Sequence, residues 1–357
     1  MDTLITLEFT LLNLVIGIAI ALALLVGLMR WRTLVFRRRL REMELVLEAQ
    51  NRDLAHKNIA LNRSNSALRA KTQALESQKA AAELAASELQ ASINYAQRIQ
   101  NKLMAQEDSW EQLGREHFIL YRPMETLSGD FYWAYANRQI ACWVVGDCTG
   151  HGVPGALMSM LGVSFLNELI AEGGETEPAY ILELLRAKII HTLNQSGGMD
   201  AENQDGMDVA ICMLDKRTRL LTYAGANRPL YLVRELNREA PEGLTEATVA
   251  GEYSLYEAKG DRMSAGKHLR ESEGFHTQSF PVWTGDTLYL LSDGITDQLG
   301  GPKGKKLMSR RLKEWLVQHQ EQSLPAQGKA LGTMLDDWMQ GSPLGQIDDI
   351  CVTGVRI

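Results

Sequence analysis

The sequence lacks the cysteine pairs that mark disulfide frameworks and zinc sites. Its four cysteines stand in apolar stretches, and none of them forms a Cys-x-x-Cys pair. Such cysteines are typical of reduced, buried side chains in a cytoplasmic domain. A basic surface is missing as well: the net charge is −7, and no basic stripe interleaved with aromatic residues occurs in the second half. We therefore expect no nucleic-acid partner.

Charged residues are absent from a long stretch near the N-terminus, residues 9–29. A run of roughly 20 apolar residues is long enough to cross a bilayer core. Arginines follow it at positions 30, 32, 37, 38, 39 and 41, which places the rest of the chain in the cytoplasm. A cleaved signal peptide would carry its positive charges before the apolar run. We expect residues 1–30 to form a single-pass anchor in the inner (cytoplasmic) membrane; a buried core helix is the alternative.

Proline and glycine are absent between Leu40 and Met104, where strong helix formers dominate. Leucines recur there every seven residues, at positions 47, 54, 61, 68 and 75. This spacing predicts a coiled coil over residues 31–92 and hence a homodimer. The alternative is a single amphipathic helix packed on its own catalytic domain. Residues 93–106 carry a narrower apolar stripe, which predicts a linker helix that docks on the next domain and acts as a switch.

From residue 107 to residue 357 the pattern changes to short apolar runs separated by glycine-rich turns. These runs predict strands at residues 140–145, 209–214, 220–224, 230–233, 287–291 and 350–355. Helices are predicted at residues 156–171, 179–193, 309–318 and 326–339. Strands in groups, separated by paired helices, indicate an α+β sandwich.

Four aspartates stand at the predicted strand ends: Asp130, Asp147, Asp293 and Asp348. Each alone fits a tight turn with a solvated carboxylate. Together they predict a cation site, because converging carboxylates repel one another unless a cation neutralises them. Oxygen ligands favour magnesium or manganese over zinc, and two such ions can clamp a phosphoryl group for hydrolysis.

Five stretches resemble, in order, the bacterial PP2C-type serine/threonine phosphatases of the SpoIIE/RsbU group. They are Ser128-Gly-Asp-Phe, Gly146-Asp-Cys-Thr-Gly-His-Gly-Val-Pro-Gly-Ala-Leu-Met, Ala224-Gly-Ala-Asn-Arg-Pro-Leu-Tyr, Ser292-Asp-Gly-Ile-Thr-Asp-Gln and Asp348-Asp-Ile. The resemblance covers roughly residues 93–357. Two further stretches, Lys259-Gly-Asp-Arg-Met and Gly300-Gly-Pro-Lys-Gly-Lys-Lys, are similar to a subgroup fused to membrane or signalling modules. The implied fold is an αββα sandwich with two manganese or magnesium ions at its rim.

The resemblance also implies roles for individual residues. Asp147 would bridge both ions, and the backbone carbonyl of Cys148 would complete one coordination shell. Asp293 and Asp348 would hold the second ion, and Asp130 would bind through water. Asp349 is the alternative ligand. Asp348 is preferred because the ligand in the family is the first residue of this motif.

Other residues have less defined roles. Asp208 is a candidate ligand of a third metal ion, while Asp205 to Asp208 also fits a turn before the next strand. Arg122 and Arg228 are candidates for binding the substrate phosphate. His151 is interpreted as a solvated loop histidine rather than a proton donor.

The function implied is hydrolysis of phosphoserine or phosphothreonine, with Asp147 and Asp130 in the catalytic centre. The implied substrate is a phosphorylated STAS-domain protein, an anti-sigma-factor antagonist in a partner-switching pathway. A catalytically silent membrane scaffold that binds the same partner is the alternative. Silent relatives usually lose a ligand, whereas all four aspartate positions are occupied here.

Overall fold

The structure, a computed structural model of the chain, describes residues 2–105, 107–193, 205–340 and 345–357. Met1, the first residue of the expected anchor, and Gln106, the last residue of the expected switch segment, lie outside the described residues. The chain divides into two compact units, residues 1–87 and residues 88–357.

Helix α1 (Asp2–Met104) forms the first unit and contributes its last turns to the second. It contains a segment long and apolar enough to cross a membrane, with no part of that segment buried. The leucines at positions 47, 54, 61, 68 and 75 are all exposed. A second helical stretch that passes the same test, Gly152–Glu172, is half buried in the second unit. Membrane insertion and coiled-coil pairing therefore stay predictions.

The remaining helices are short. They are α2 (Glu107–Glu111), α3 (Gly152–Leu166), α4 (Pro178–Thr192), α5 (Gly294–Asp297), α6 (Ser309–Gln318) and α7 (Leu324–Met339). A π-helical segment, Asn167–Glu172, continues α3, and a 3₁₀ turn covers Glu271–Glu273. The first strands are β1 (Glu116–Arg122), β2 (Phe131–Ala136), β3 (Ile140–Cys148), β4 (Gly206–Asp215), β5 (Leu220–Gly225), β6 (Leu230–Glu235) and β7 (Thr245–Ala250). They are followed by β8 (Tyr253–Ala258), β9 (Ala265–Gly266), β10 (Gln278–Pro281), β11 (Thr287–Leu291), β12 (Leu299–Gly300), β13 (Lys305–Lys306) and β14 (Ile350–Arg356).

Two antiparallel sheets form the centre of the second unit. One has the order β1-β14-β11-β6-β8-β7, and the other has the order β10-β5-β4-β3-β2 with β9 beside β4. Strands β12 and β13 form a separate hairpin. Strand β14 lies between β1 and β11, so the last residues of the chain are central to their sheet.

Alternating side chains of the central strands build the core. In β3, Trp143 and Val145 belong to the cluster between the sheets, whereas Cys142 and Val144 belong to the cluster under α3 and α4. This is the two-residue period of a strand that is buried on both faces. A third cluster joins the other sheet to α6 and α7. Three apolar interfaces therefore stack four layers, and the predicted αββα sandwich is confirmed.

Most predicted elements are present, with small shifts at their ends. The predicted helix at residues 309–318 coincides with α6. Helix α3 begins at Gly152, four residues before the prediction, because Pro154 is tolerated in a first helical turn. The alternative of a turn at Asp205 to Asp208 is wrong for Asp208, which lies inside β4. All four cysteines are buried and free, as predicted.

Candidate active site

The site is built around two facing aspartates on neighbouring strands. Asp147 near the end of β3 lies opposite Asp208 near the start of β4 in the antiparallel register. Side chains of directly opposed residues project from the same face of a sheet. Sheet pairing therefore places two carboxylates side by side, a position that favours a cation between them.

The guanidinium of Arg228 supplies a positive charge at this point. Its Nη2 atom donates hydrogen bonds to Asp147 Oδ2 at 2.7 Å, to Asp293 Oδ2 at 2.9 Å and to Asp208 Oδ2 at 3.1 Å. Three carboxylates from three elements thus converge on one nitrogen atom. The Nε atom of Arg228 is buried without a hydrogen-bond partner among the described residues. The three carboxylates therefore share one cationic group. That group keeps one buried N–H donor, at Nε, without a hydrogen bond.

Asp130 lies behind this cluster and is buried. Ser292, next to Asp293, donates from Oγ to Asp130 Oδ2 at 2.5 Å. Ser292 Oγ in turn accepts a hydrogen bond from the backbone N–H of Cys351 at 2.9 Å. One hydroxyl therefore links the loop before β2 to the start of β14 and to the end of β11.

The two adjacent aspartates at the start of β14 have different surroundings. Asp349 accepts hydrogen bonds from the backbone N–H groups of Met124 at 2.7 Å and Gly129 at 2.8 Å. Its carboxylate thus fixes the loop that carries Asp130. The Asp348 carboxylate accepts only from the backbone N–H of Asp349, at 2.9 Å, among the hydrogen bonds of the described residues. Asp348 consequently keeps more of its coordination capacity free than Asp349 does.

Glycines allow the strands and loops of the site to approach closely. A Cβ atom on Gly294 would lie 1.9 Å from the backbone oxygen of Asp349. One on Gly129 would lie 2.8 Å from the carbonyl oxygen of Gly150 and 3.3 Å from that of Cys148. The Cys148 carbonyl is therefore beside the Gly129–Asp130 segment, which suits its predicted place in the site.

Burial and mutual repulsion disfavour the charged carboxylates. Burial and the neighbouring Asp147 carboxylate raise the pKa of Asp130 well above its ordinary value. Burial raises the pKa of Asp147 to about 8, although Arg228 opposes the shift. Burial, together with Asp293 and Asp349, also raises the pKa of Asp348. A multivalent cation in this cluster would restore the ionised forms, since its field outweighs both effects.

The donor set fits hard divalent cations, although the side chains do not yet form a finished shell. Among the described residues, no three acidic, histidine or cysteine side chains form a ready-made coordination shell. Arg228 explains this, because its guanidinium stands where three carboxylates meet. All available ligands are oxygens, the type that magnesium and manganese prefer.

The other predicted residues have separate partners. The guanidinium of Arg122 makes two hydrogen bonds to Asp336 on α7, at 2.7 and 3.1 Å. His151 is exposed, and its Nδ1 lies 3.1 Å from Glu125 Oε1. It is therefore a solvent-facing loop residue with one acidic neighbour.

Sequence reasoning did not identify several supporting residues. Asn227 and Ser264 both donate to Asp208 Oδ1, at 2.9 and 2.6 Å. The stretch Lys259–Met263 packs against the loop that carries Arg228, since Asn227 N–H donates to Asp261 O at 2.8 Å. In the sequence, the stretch Lys259–Met263 was notable for its similarity to a family subgroup. That similarity did not show that the stretch lies beside Arg228.

Gln100 connects the end of α1 to the site. Its Nε2 donates to the carbonyl oxygen of Ser128 at 2.6 Å and to Ser159 Oγ at 2.9 Å, and its Oε1 accepts from Ser128 N–H at 3.3 Å. Gln100 is buried. The predicted linker helix therefore has a specific polar contact with Ser128, two residues before Asp130.

Comparison with known proteins agrees with this geometry. Residues 139–357 match the family described as Stage II sporulation protein E (SpoIIE). The structure is similar to the SiaA-PP2C domain of Pseudomonas aeruginosa, with 31% identity and a TM-score of 0.64 over 76% of this chain and 98% of that chain. Its fold is also similar to a structure that comprises the PP2C phosphatase domain and a fragment of the regulatory domain of SpoIIE from Bacillus subtilis, with 13% identity and a TM-score of 0.51 over 68% of this chain and 63% of that chain.

A search of the curated proteins finds no match. The family match covers more than half of the chain, and the similarity to the SiaA domain extends over nearly all of that domain. The chain belongs to the SpoIIE family of bacterial PP2C-type phosphatases.

Proposed function

We propose that the chain is a manganese- or magnesium-dependent protein serine/threonine phosphatase. The observation that carries the proposal is the convergence of Asp147, Asp208 and Asp293 on one cationic nitrogen. A site that gathers three carboxylates around a positive charge has the composition that a pair of hard cations needs. Family membership supplies the reaction class, and the cluster supplies the residues for it.

In this proposal two ions are held by Asp147, by the backbone carbonyl of Cys148, by Asp293 and by Asp348. Asp130 would bind through water, and Asp208 would hold a third ion. We prefer Asp348 to Asp349 because the Asp349 carboxylate already accepts two backbone hydrogen bonds. Bound ions would supply the positive charge that stabilises a phosphoryl group in the transition state.

The protein side chains orient the site. Ser292 fixes the Asp130 carboxylate through its hydroxyl, and Asn227 and Ser264 fix Asp208. Arg228 would turn from the carboxylates towards the substrate phosphate, because its planar guanidinium can donate two parallel hydrogen bonds to phosphate oxygens. Its unsatisfied Nε donor is consistent with a second position for this side chain.

The substrate is proposed to be a phosphorylated STAS-domain protein that antagonises an anti-sigma factor, and this partner rests on the family resemblance. Residues 1–30 are proposed to anchor the chain in the inner membrane, and residues 31–92 to pair with a second copy. The exposed leucines at seven-residue steps support this pairing, because an unpaired apolar stripe along a helix is costly in water. Residues 93–106 would then act as the switch, with Gln100 as the contact to the site.

The test is manganese-dependent hydrolysis of a phosphoserine peptide by the full-length chain. We expect hydrolysis that Asp147→Asn abolishes, while circular dichroism shows an intact fold. A folded Asp147→Asn variant with full activity would contradict the site assignment. A wild-type chain that binds manganese and the phosphoprotein, but hydrolyses neither the phosphoprotein nor the peptide, would be a scaffold.

A further inference from the structure

A basic pocket lies between the β12–β13 hairpin and the start of α6. It has a volume of about 520 Å³, within the range of sites that take small ligands or short peptide segments. Five cations line it, together with one aromatic side chain; they are Lys303, Lys305, Lys306, Arg310, Arg311 and Trp338. All five cations are exposed. Residues 300–306, which supply three of the five cations, have no part in the proposed catalytic site.

The positive charge of the pocket is only partly neutralised. Lys306 pairs with Asp297 at 2.7 Å, and Arg310 pairs with Glu314 at 2.9 Å. Lys303, Lys305 and Arg311 form no ion pair with any described residue. Arg311 instead lies over the ring of Trp338, with its guanidinium carbon 4.4 Å from the ring centroid.

This concentration of charge stands out in a chain with a net charge of −7. Helix α6 begins with Ser309, Arg310 and Arg311, and no acidic residue stands in its first turn. Cations at the N-terminal end of a helix are unfavourable, because the helix dipole is positive there. The protein therefore keeps a locally repulsive arrangement, which an anionic partner would relieve.

The pocket adjoins the carboxylate cluster. Met308 N–H donates to Thr296 O at 2.8 Å, and Lys306 binds Asp297, so the hairpin is fastened to α5. Asp293, one of the three carboxylates around Arg228, is the residue directly before α5. One helical turn therefore separates the basic pocket from the site.

We propose that this pocket binds an acidic segment of the phosphoprotein whose phosphate enters the carboxylate cluster; the substrate part of this statement rests on the proposed function. An acidic substrate would be repelled by a chain of net negative charge unless a local positive surface receives it. The unpaired cations are spread over a hairpin and a helix, which suits several carboxylates along a peptide. The Arg311–Trp338 pair gives the pocket an apolar wall against which peptide methylenes pack.

The experiment measures fluorescence anisotropy of labelled, unphosphorylated peptides with the full-length chain in neutral detergent. One peptide carries a tract of Asp and Glu, and a second of equal length carries Asn and Gln instead. The pocket variant is Lys303→Gln/Lys305→Gln/Arg311→Gln. The matched control is Arg138→Gln/Arg217→Gln/Lys329→Gln, which removes the same charge from exposed positions outside the pocket.

We expect the wild type and the control to bind the acidic peptide, and the pocket variant to bind it about tenfold more weakly or worse. Added salt should weaken this binding, because the contacts are exposed charges. Equal affinity of the wild type for both peptides, or equal loss in the pocket and control variants, would overturn the proposal.

Phosphorylated forms of the two peptides separate this inference from the proposed function. With manganese, we expect the wild type to show the higher kcat/KM for the acidic phosphopeptide and the pocket variant to lose that preference. Pocket-dependent binding without hydrolysis of either phosphopeptide would overturn the phosphatase assignment, while it would support the pocket as an acidic-peptide site. Hydrolysis with no preference for acidic sequence would support the phosphatase and overturn the pocket.

Discussion

Gln100, on the last turns of α1, holds both backbone groups of Ser128, two residues before Asp130. Its amide accepts from the Ser128 N–H and donates to the Ser128 carbonyl oxygen at 2.6 Å. A long helix thus ends in a hydrogen-bonded contact with the loop that carries the buried Asp130 carboxylate. A rotation of α1 about its axis at this point would either break these hydrogen bonds or move the Ser128 backbone with the helix.

The first prediction concerns Gln100→Ala. The substitution leaves the Ser128 backbone groups without their partner in a buried setting, which costs on the order of 1–3 kcal/mol. We expect a lower melting temperature and weaker manganese binding, because the Asp130 loop loses a fixed position. Gln90→Ala is the control, since Gln90 is exposed on the same helix and bonds only Asn94 among its described partners. Unchanged manganese affinity in Gln100→Ala would contradict the coupling.

The second prediction concerns Arg228→Gln. Removing a positive charge from the centre of the cluster should strengthen manganese binding, by about tenfold, because the ion no longer competes with a guanidinium. Without metal, the same variant should be less stable than the wild type, since three carboxylates lose their counter-charge. Calorimetric titration and thermal unfolding measure the two effects. Arg122→Gln, whose partner is Asp336, should leave manganese affinity as it is; weaker binding in Arg228→Gln would contradict the competition.

The third prediction separates the two aspartates before β14. Asp349→Ala removes the acceptor of two loop N–H groups and should destabilise the metal-free protein by about 2 kcal/mol or more. Asp348→Ala should leave the metal-free stability nearly unchanged and weaken manganese binding. Denaturant unfolding without metal, followed by a manganese titration, distinguishes the variants. The reverse pattern would make Asp349 the ligand.

The fourth prediction tests the close approach at Gly294. A Cβ atom there would stand 1.9 Å from the Asp349 carbonyl oxygen, so the backbone must move. We expect Gly294→Ala to destabilise the fold by about 1–3 kcal/mol. Gly332→Ala is the control within α7, where the nearest atom is the flexible Arg122 Nη2 at 3.4 Å. There the alanine should be neutral or stabilising, because it favours the helix. Similar losses in both variants would refute the packing argument.

Much of this architecture follows from sequence patterns, because the elements that were predicted are strongly patterned. The helix at residues 309–318 and the strand at residues 287–291 coincide with α6 and β11. Strand β7 was not predicted, since Thr245–Ala250 lies at a sheet edge and mixes polar with small residues. Edge strands lack the continuous apolar runs that reveal central ones.

The site was predictable only in part. Strand-end aspartates identified most carboxylates, but Asp208 was only a candidate ligand of a third ion, because Asp205 to Asp208 also fits a turn. Pairing with β3 overrides that local preference and places Asp208 opposite Asp147. The central position of Arg228 depends on the preceding residue, Asn227, which has a left-handed backbone with φ of 57°. No spacing rule in the sequence shows where such a turn directs the next side chain.

Calorimetric titration of the whole chain with manganese tests whether the carboxylate cluster is a metal centre. We expect the wild type to bind about two ions. We expect Asp147→Asn to lose that binding, and Asp337→Asn, an exposed α7 variant of the same chemistry, to behave as the wild type. A folded Asp147→Asn variant that binds manganese with wild-type stoichiometry and affinity would contradict the assignment.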